Sequence, residues 1–168
     1  MSQLSLSLDS SLLVRDDQGR YLPATADQIL EAARYVIDRK IPRGTLFTSP
    51  ALVKDYLRTK LASFEHEVFA ALFLDSQNRP IEYVEMFRGT IDQASVYPRE
   101  VVKTALHHNA AAVIFSHNHP SENSEPSQAD KLLTQRLKEA LALVDVRTLD
   151  HIVVGGEATT SFAERGLL

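Results

Sequence analysis

The chain has 168 residues, of which 44% are hydrophobic and 24% are charged, so it is long enough to bury a sizeable core within one domain. It contains no cysteine, which excludes disulfides, thiolate metal ligands and cysteine nucleophiles. The net charge of −4 gives no basic footprint for nucleic acid, and no apolar run reaches the roughly 20 residues that span a bilayer. Because the first residues also lack the features of a secretory signal, we expect a cytoplasmic protein without a membrane partner.

The N-terminal part of the sequence predicts a small extension. Leucines alternate with serines and a turn-forming DDQG follows, so residues 3–22 predict a hairpin-like pair of strands. A capping-box pattern then opens a predicted helix over residues 25–40. The connector IPRGT at 41–45 predicts a domain boundary, with an extension at 1–45 and the main domain at 46–168.

The rest of the sequence alternates amphipathic helices with buried strands, which is typical of an α/β fold with a layered sheet and flanking helices. Strands are predicted at 68–75, 81–89, 110–115 and 151–156, and helices are predicted to begin at Ser49, Pro98 and Ser127.

The segment FSHNHPSENSEPSQAD at 115–130 gives the strongest indication of chemistry. His117 and His119 are two residues apart, so on extended backbone their side chains share one face, with Cα atoms roughly 6–7 Å apart. This separation suits two imidazoles that bind one Zn²⁺, and Asp130 returns in the first turn of the next helix. Two histidines and one carboxylate leave a fourth position for water, as in a catalytic zinc site, where that water loses its proton near neutral pH.

Other interpretations of these residues remain open. Ser127 and Asp130 also fit a capping box, which needs no metal, although the two roles are compatible. Iron is a formal alternative to zinc, because its facial triad also uses two histidines and one carboxylate. We expect His151 to be a structural hydrogen-bonding group rather than a fourth ligand. We also expect Asn118 to point away from its flanking histidines and to have a structural role.

The motif HNHPSENSEPSQAD matches the H-x-H-x7-S-x2-D signature of the JAMM (JAB/MPN-type) metallohydrolases at every specified position. From about residue 49 to residue 168 the chain resembles the RadC branch of that superfamily. Flanking segments that agree with this branch include 67–69 (EVF), 97–100 (YPRE), 109–112 (NAAA) and 161–168 (SFAERGLL). The resemblance implies a JAB/MPN (cytidine-deaminase-like) fold for this region.

The resemblance also implies roles for particular residues. His117, His119 and Asp130 would bind zinc, and Ser127 would hydrogen-bond the developing oxyanion. Glu67 would be the general acid/base, and a zinc hydrolase independently requires such a carboxylate that does not bind the metal. The rival carboxylates, which we interpret as exposed strand or turn residues, are Glu65, Glu82 and Glu85.

One position departs from the family pattern. The family commonly has HNHPSG, and Glu122 stands where that glycine would be. If the glycine serves a positive φ angle or a close backbone approach, we expect Glu122 to reshape the loop and to affect the fit of a substrate.

The expected function is therefore a zinc-dependent hydrolase of JAMM type that acts on an amide or isopeptide bond of a peptide or protein. The alternative is a non-catalytic protein- or DNA-interaction module of the RadC family, a branch associated by name with DNA repair. A metal-dependent nuclease is a third possibility, which the absence of a basic stripe disfavours.

Overall fold

A computed structural model of the chain describes residues 12–40, 49–89 and 96–168. The chain divides into two units, Met1–Arg39 and Lys40–Leu168. The connector at 41–45 and the first part of the predicted hairpin, residues 3–11, lie outside the described residues. The domain boundary at residue 45 therefore stays a prediction.

The first unit contains a short hairpin and one helix. Its elements are β1 (Leu13–Arg15), antiparallel β2 (Tyr21–Pro23) and α1 (Ala26–Lys40). The carboxylate of Asp16 holds the turn, because it accepts hydrogen bonds from the N–H groups of Gln18 and Arg20 at 3.0 and 2.8 Å. Thr25 and Gln28 form the predicted capping box at the start of α1.

The second unit is a layered α/β sheet, which confirms the predicted fold class. Its described elements are α2 (Pro50–Leu61), β3 (Val68–Leu74), β4 (Pro80–Arg88), α3 (Pro98–His107), β5 (Ala112–Asn118), α4 (Gln128–Ala142), β6 (Arg147–Gly155) and β7 (Ala158–Ser161). The five strands lie in the order β4-β3-β5-β6-β7, and β5 and β6 are the parallel pair. Within the described residues, no helix is both long and apolar enough to span a bilayer.

The two faces of the sheet pack against different helices, because successive side chains of a strand point to opposite faces. One face packs against α3 and α4 through a core of Phe69, Ala71, Phe73, Val101, Ala105, Val113, Phe115, Leu137 and Leu141. On the other face, Val53 of α2 lines a common cavity with Ile114 and Ile152. His117 follows Phe115 by two residues, so its side chain enters the layer of α3 and α4.

Two strands differ by several residues from the bounds expected from the sequence, and a third strand was not expected. β5 runs over 112–118 rather than 110–115, because the polar residues of the motif continue the strand instead of ending it. β6 begins at Arg147 rather than at residue 151, since its polar start pairs in parallel with β5. β7 was not predicted, because ATTS is a short polar segment whose strand conformation depends on pairing with β6.

The side chain of Asn118 clamps the start of β3 onto the end of β5. Its Oδ1 atom accepts a hydrogen bond from the N–H group of Val68 at 2.8 Å. Its Nδ2 atom donates to the carbonyl oxygens of Phe64 and His66 at 3.2 and 3.0 Å. These bonds grip the backbone on both sides of Glu67, in agreement with the structural role expected for Asn118.

The loop between β5 and α4 lies directly against the end of β6. A Cβ atom added to Gly155 would lie 2.3 Å from the backbone nitrogen of Ser124, so this contact requires glycine. Arg165 also donates to both carboxylate oxygens of Glu125, at 2.6 and 2.7 Å. Glu122 has a φ angle of 61°, the left-handed conformation that favours glycine. The loop thus keeps the backbone of a glycine at this position, at a cost of about 1–2 kcal/mol.

We predict that Asn118→Ala lowers the free energy of unfolding by about 1–3 kcal/mol, because it leaves the buried N–H group of Val68 without an acceptor. Thermal unfolding followed by circular dichroism measures this loss. Asn123→Ala is the matched control, since the Asn123 side chain accepts an exposed hydrogen bond from the N–H group of Glu125. Equal losses of unfolding free energy in the two variants would show that the Asn118 side chain makes no special contribution to the pairing of β3 with β5.

We predict that Glu122→Gly raises the free energy of unfolding by about 1 kcal/mol, because glycine adopts a positive φ angle without steric cost. Ser121→Gly is the control, as Ser121 is an exposed neighbour without a positive φ angle, and this variant should be no more stable than the parent. A lower melting temperature for Glu122→Gly would show that its backbone is not strained.

Candidate metal centre

His117, His119 and Asp130 come together where the end of β5 meets the first turn of α4. The Nε2 atoms of the two histidines lie 2.9 Å apart. The Oδ1 atom of Asp130 lies 3.5 Å from Nε2 of His117, and its Oδ2 atom lies 3.5 Å from Nε2 of His119. Among the described residues, these three form the group of side chains that could hold a metal ion.

The separations of these atoms fit a small divalent cation. Ligands at about 2.0–2.1 Å in tetrahedral geometry are roughly 3.3 Å from one another, and the observed separations of 2.9 and 3.5 Å bracket that value. Two imidazole nitrogens and one carboxylate oxygen are also a donor set that zinc commonly accepts. The site therefore fits zinc with three protein ligands and one remaining position.

Hydrogen bonding orients His119 for this role. Its Nδ1 atom lies 2.7 Å from the carbonyl oxygen of Asn123, which can only accept, so Nδ1 carries the hydrogen. In the neutral ring, Nε2 then presents a lone pair toward His117. Two nitrogens that face each other at 2.9 Å need a proton or a cation between them, and the arrangement of these side chains suits a bound cation.

Charges in the site favour an ionised Asp130. Burial opposes its ionisation, but contacts with His117 and His119 outweigh burial and hold the pKa of Asp130 well below its usual value. In turn, the hydrogen bond with Asp130 raises the pKa of His119, against the opposing effect of burial. Both shifts require a proton on an imidazole Nε2 atom that donates to the carboxylate, and a metal ion bound to that nitrogen would take the place of the proton.

A third histidine lies behind His117. The Nε2 atom of His151 is 2.8 Å from Nδ1 of His117, and its Nδ1 atom is 2.6 Å from Oγ1 of Thr134. The His151 ring is fully buried, and burial lowers its pKa well below the usual value. His151 thus contacts a ligand rather than joining the group of three, in agreement with the expected hydrogen-bonding role.

Thr134 carries no motif that marks it in the sequence. It lies on the buried face of α4, one turn after Asp130, among the apolar residues Leu133 and Leu137. A polar side chain in an apolar helical stripe was the available signal, because such a group needs a buried partner.

Asp130 and Ser127 also form the capping box that was the alternative interpretation. The Ser127 Oγ atom accepts from the N–H group of Asp130 at 3.1 Å, and Oδ2 of Asp130 accepts from the N–H group of Ser127 at 2.7 Å. Both roles of Asp130 are thus present in one geometry. The Ser127 hydroxyl acts as acceptor in this cap, so the cap does not use its hydrogen.

The strand register brings Glu67 near the three candidate ligands. Phe69 is opposite His117, so continuing the antiparallel pairing by two residues brings Glu67 level with His119. Glu67 immediately precedes β3, and the alternation of that strand, extended by one residue, points Glu67 to the same face as Phe69. The charge of Glu67 acts on His119, where it helps to raise the pKa of the imidazole.

The rival carboxylates are placed differently. Glu82 is half-buried rather than exposed as expected, and it is opposite Phe73, which is roughly 13 Å along β3 from Phe69. Glu85 lies on β4, beyond β3 from the motif, and forms an ion pair of 2.9 Å with Arg88. Glu65 is exposed and lines a cleft of about 350 Å³ that also includes His119.

Comparison with known proteins identifies the family. Residues 47–167 match the family model of the RadC-like JAB domain. A UPF0758 protein of Vibrio cholerae is 60% identical over 141 residues, which make up 84% of this chain and 89% of the relative. A UPF0758 protein of Cellvibrio japonicus is 62% identical over 140 residues (83% of this chain, 62% of the relative). A third, from Nitrosomonas eutropha, is 56% identical over 145 residues (86% of this chain, 65% of the relative).

The chain thus spans less than two thirds of the last two relatives, and the name UPF0758 states no activity. The match to the family model nevertheless covers most of the chain, including the ends of β3 and β5 and the start of α4. The resemblance expected from the motif is confirmed, and the chain belongs to the RadC-like JAB domain family.

Proposed function

We propose that this chain is a zinc-dependent hydrolase of JAMM type that cleaves an amide or isopeptide bond in a peptide or protein. The observation that carries the proposal is the convergence of two imidazole nitrogens and one carboxylate at separations of 2.9 and 3.5 Å. A carboxylate outside this group, that of Glu67, acts electrostatically on His119. Ligands and a nearby base are the two parts that metal-assisted hydrolysis requires.

His117, His119 and Asp130 would hold the zinc ion. When bound, zinc would polarise the scissile carbonyl group and lower the pKa of the attacking water. Asp130 would supply negative charge that offsets part of the charge of the ion, since a carboxylate is ionised at neutral pH.

Glu67 would act as the general base and then as the general acid. Its position level with His119 supports transfer of a proton from the attacking water to the carboxylate, and later from the carboxylate to the leaving amine. The Asn118 clamp fixes the backbone on both sides of Glu67, which limits its movement relative to the ligands.

Ser127 would stabilise the developing oxyanion. Its Oγ atom accepts a hydrogen bond from the N–H group of Asp130 at the start of α4. Its hydroxyl hydrogen takes part in neither hydrogen bond of the cap. A fixed hydroxyl beside the ligands is suited to donate a hydrogen bond to the oxyanion of a tetrahedral intermediate.

The cleft beside His119 supports a peptide or protein substrate. Glu65 and Glu122 line it, and their carboxylates repel the phosphates of a nucleic acid. This arrangement disfavours a nuclease at the same site. We also propose a cytoplasmic location, which the absence of cysteine in the sequence permits.

We predict that the purified chain binds about one zinc ion, as metal analysis by mass spectrometry would measure. His119→Ala should lose the ion, because only two ligands remain. Glu67→Gln should keep the ion and lower kcat by about 10²–10⁴-fold on a panel of peptide and isopeptide substrates. Glu85→Gln, in the ion pair on β4, is the carboxylate control and should change neither property.

Hydrolytic activity that survives in Glu67→Gln would show that Glu67 is not the general base. A protein that takes up no stoichiometric zinc, even after supplementation, would instead favour the non-catalytic interaction module. Cleavage of single- or double-stranded DNA by the metal-loaded protein would favour the nuclease.

We predict that Ser127→Gly lowers kcat by about 10²-fold while reducing the free energy of unfolding by only a few tenths of a kcal/mol. Glycine is tolerated at a helix N-cap but has no hydroxyl, so this variant separates capping from catalysis. Ser127→Thr keeps both functions and is the control. An unchanged kcat in Ser127→Gly would show that Ser127 acts only as a helix cap.

A further inference from the structure

The metal centre has a buried set of hydrogen bonds behind it that the proposed reaction does not use. This set, the relay, consists of the carbonyl oxygen of Asp130, the hydroxyl of Thr134, and the rings of His151 and His117. Thr134 and His117 are each 1% exposed and His151 is 0% exposed. Water therefore cannot substitute for a missing partner in the relay without rearrangement of the core.

The direction of the hydrogen bonds follows from Thr134. Its hydroxyl donates to the carbonyl oxygen of Asp130 at 2.6 Å, as threonine often does one turn back along a helix. A hydroxyl has one hydrogen, so toward His151 the Thr134 oxygen must accept. The Nδ1 atom of His151, 2.6 Å away, therefore carries a hydrogen.

The surroundings of His151 determine its other nitrogen. Its ring stacks on Phe162 with centroids 4.7 Å apart and meets the rings of Phe69 and Phe115 edge-on. A fully buried cation among three phenyl rings would be poorly solvated, so the ring is neutral. A neutral ring with its hydrogen on Nδ1 has a lone pair on Nε2, which accepts from Nδ1 of His117 at 2.8 Å.

The relay thus determines which nitrogen of His117 can bind a metal. With the hydrogen of His117 held on Nδ1, its Nε2 atom presents a lone pair toward His119 and Asp130. The other tautomer would place a hydrogen on Nε2 and would leave two lone pairs facing each other between His117 and His151. Such a tautomer could not ligate a metal through Nε2.

We propose that His151 and Thr134 are positioning residues that fix the tautomer and orientation of His117, and thereby preorganise the metal centre. The inference rests on the metal centre of the proposed function, but not on the identity of the substrate. The relay starts at the backbone of Asp130 and ends at His117, so it also ties a ligand on α4 to a ligand on β5. Groups that hold a metal-binding histidine in this way commonly contribute 10–100-fold to metal affinity.

The test measures the affinity of the full-length, metal-stripped chain for Zn²⁺ by competition with a chromophoric chelator. Thr134→Val keeps the volume of the side chain and removes its hydroxyl, and His151→Phe keeps an aromatic ring in an aromatic environment. Each should weaken Zn²⁺ binding by about 10–100-fold. Thr134→Ser, which restores the hydroxyl, should bind within about twofold of the parent chain.

Ser116→Ala is the matched control. The Ser116 hydroxyl is also fully buried and also donates to a backbone carbonyl, that of Ile152, at 2.7 Å. It lies on the opposite face of β5 from His117, so its loss should lower stability without changing Zn²⁺ affinity. A general loss of stability would thus affect Ser116→Ala and Thr134→Val alike, whereas the relay predicts a difference in affinity between them.

Nitrogen-15 spectra of the histidine rings in the zinc-loaded chain give a second measurement. We expect His117 to show a hydrogen on Nδ1 in the parent chain, and this signal to exchange faster with water in Thr134→Val.

If Thr134→Val and His151→Phe bind Zn²⁺ as tightly as the parent, the relay has no positioning role and the proposed function still stands. If the parent chain itself binds no Zn²⁺, the proposed function and this inference both fail. Should His151→Phe not fold, the volume-conserving Thr134→Val decides the question alone.

Discussion

The antiparallel register between β3 and β5 is the constraint on which the candidate site depends. It sets Phe69 opposite His117 and thereby brings Glu67 level with His119. Because side chains alternate along a strand, a slip of one residue would turn the histidines toward α2 and away from Asp130. The Asn118 clamp extends this register past the last backbone pair. His117 lies on β5, and His119 and Glu67 lie within one residue of a strand end, so the sheet holds the site more rigidly than a long loop would.

Buried polar side chains are concentrated around the end of β5. The buried polar side chains of the described residues are Ser116, His117, Asn118, Thr134, His151 and Ser161. All six take part in hydrogen bonds. Buried groups that are hydrogen-bonded hold one another in one arrangement, whereas the loss of a partner would destabilise the fold. A substitution in this set would therefore affect the candidate site and the stability of the core together.

Local patterns predicted those parts of the structure that depend on local geometry. The two-residue spacing of His117 and His119 was enough to place them on one face, because strand periodicity is a property of the backbone alone. The contribution of Asp130 required the path of a nine-residue loop, and the choice of Glu67 among four glutamates came from family resemblance. Thr134 and β7 were missed, since a threonine in a helix and a short polar strand acquire their roles from tertiary partners.

Asp130 is both a helix cap and a candidate ligand, and this double use connects the ion to the backbone of α4. Its Oδ2 atom accepts the N–H group of Ser127 at 2.7 Å and lies 3.5 Å from Nε2 of His119. An ion bound by this carboxylate would withdraw electron density from it and so change the strength of the cap bond. The exchange rate of the Ser127 amide hydrogen, at the N-cap of α4, would therefore report whether the site holds an ion.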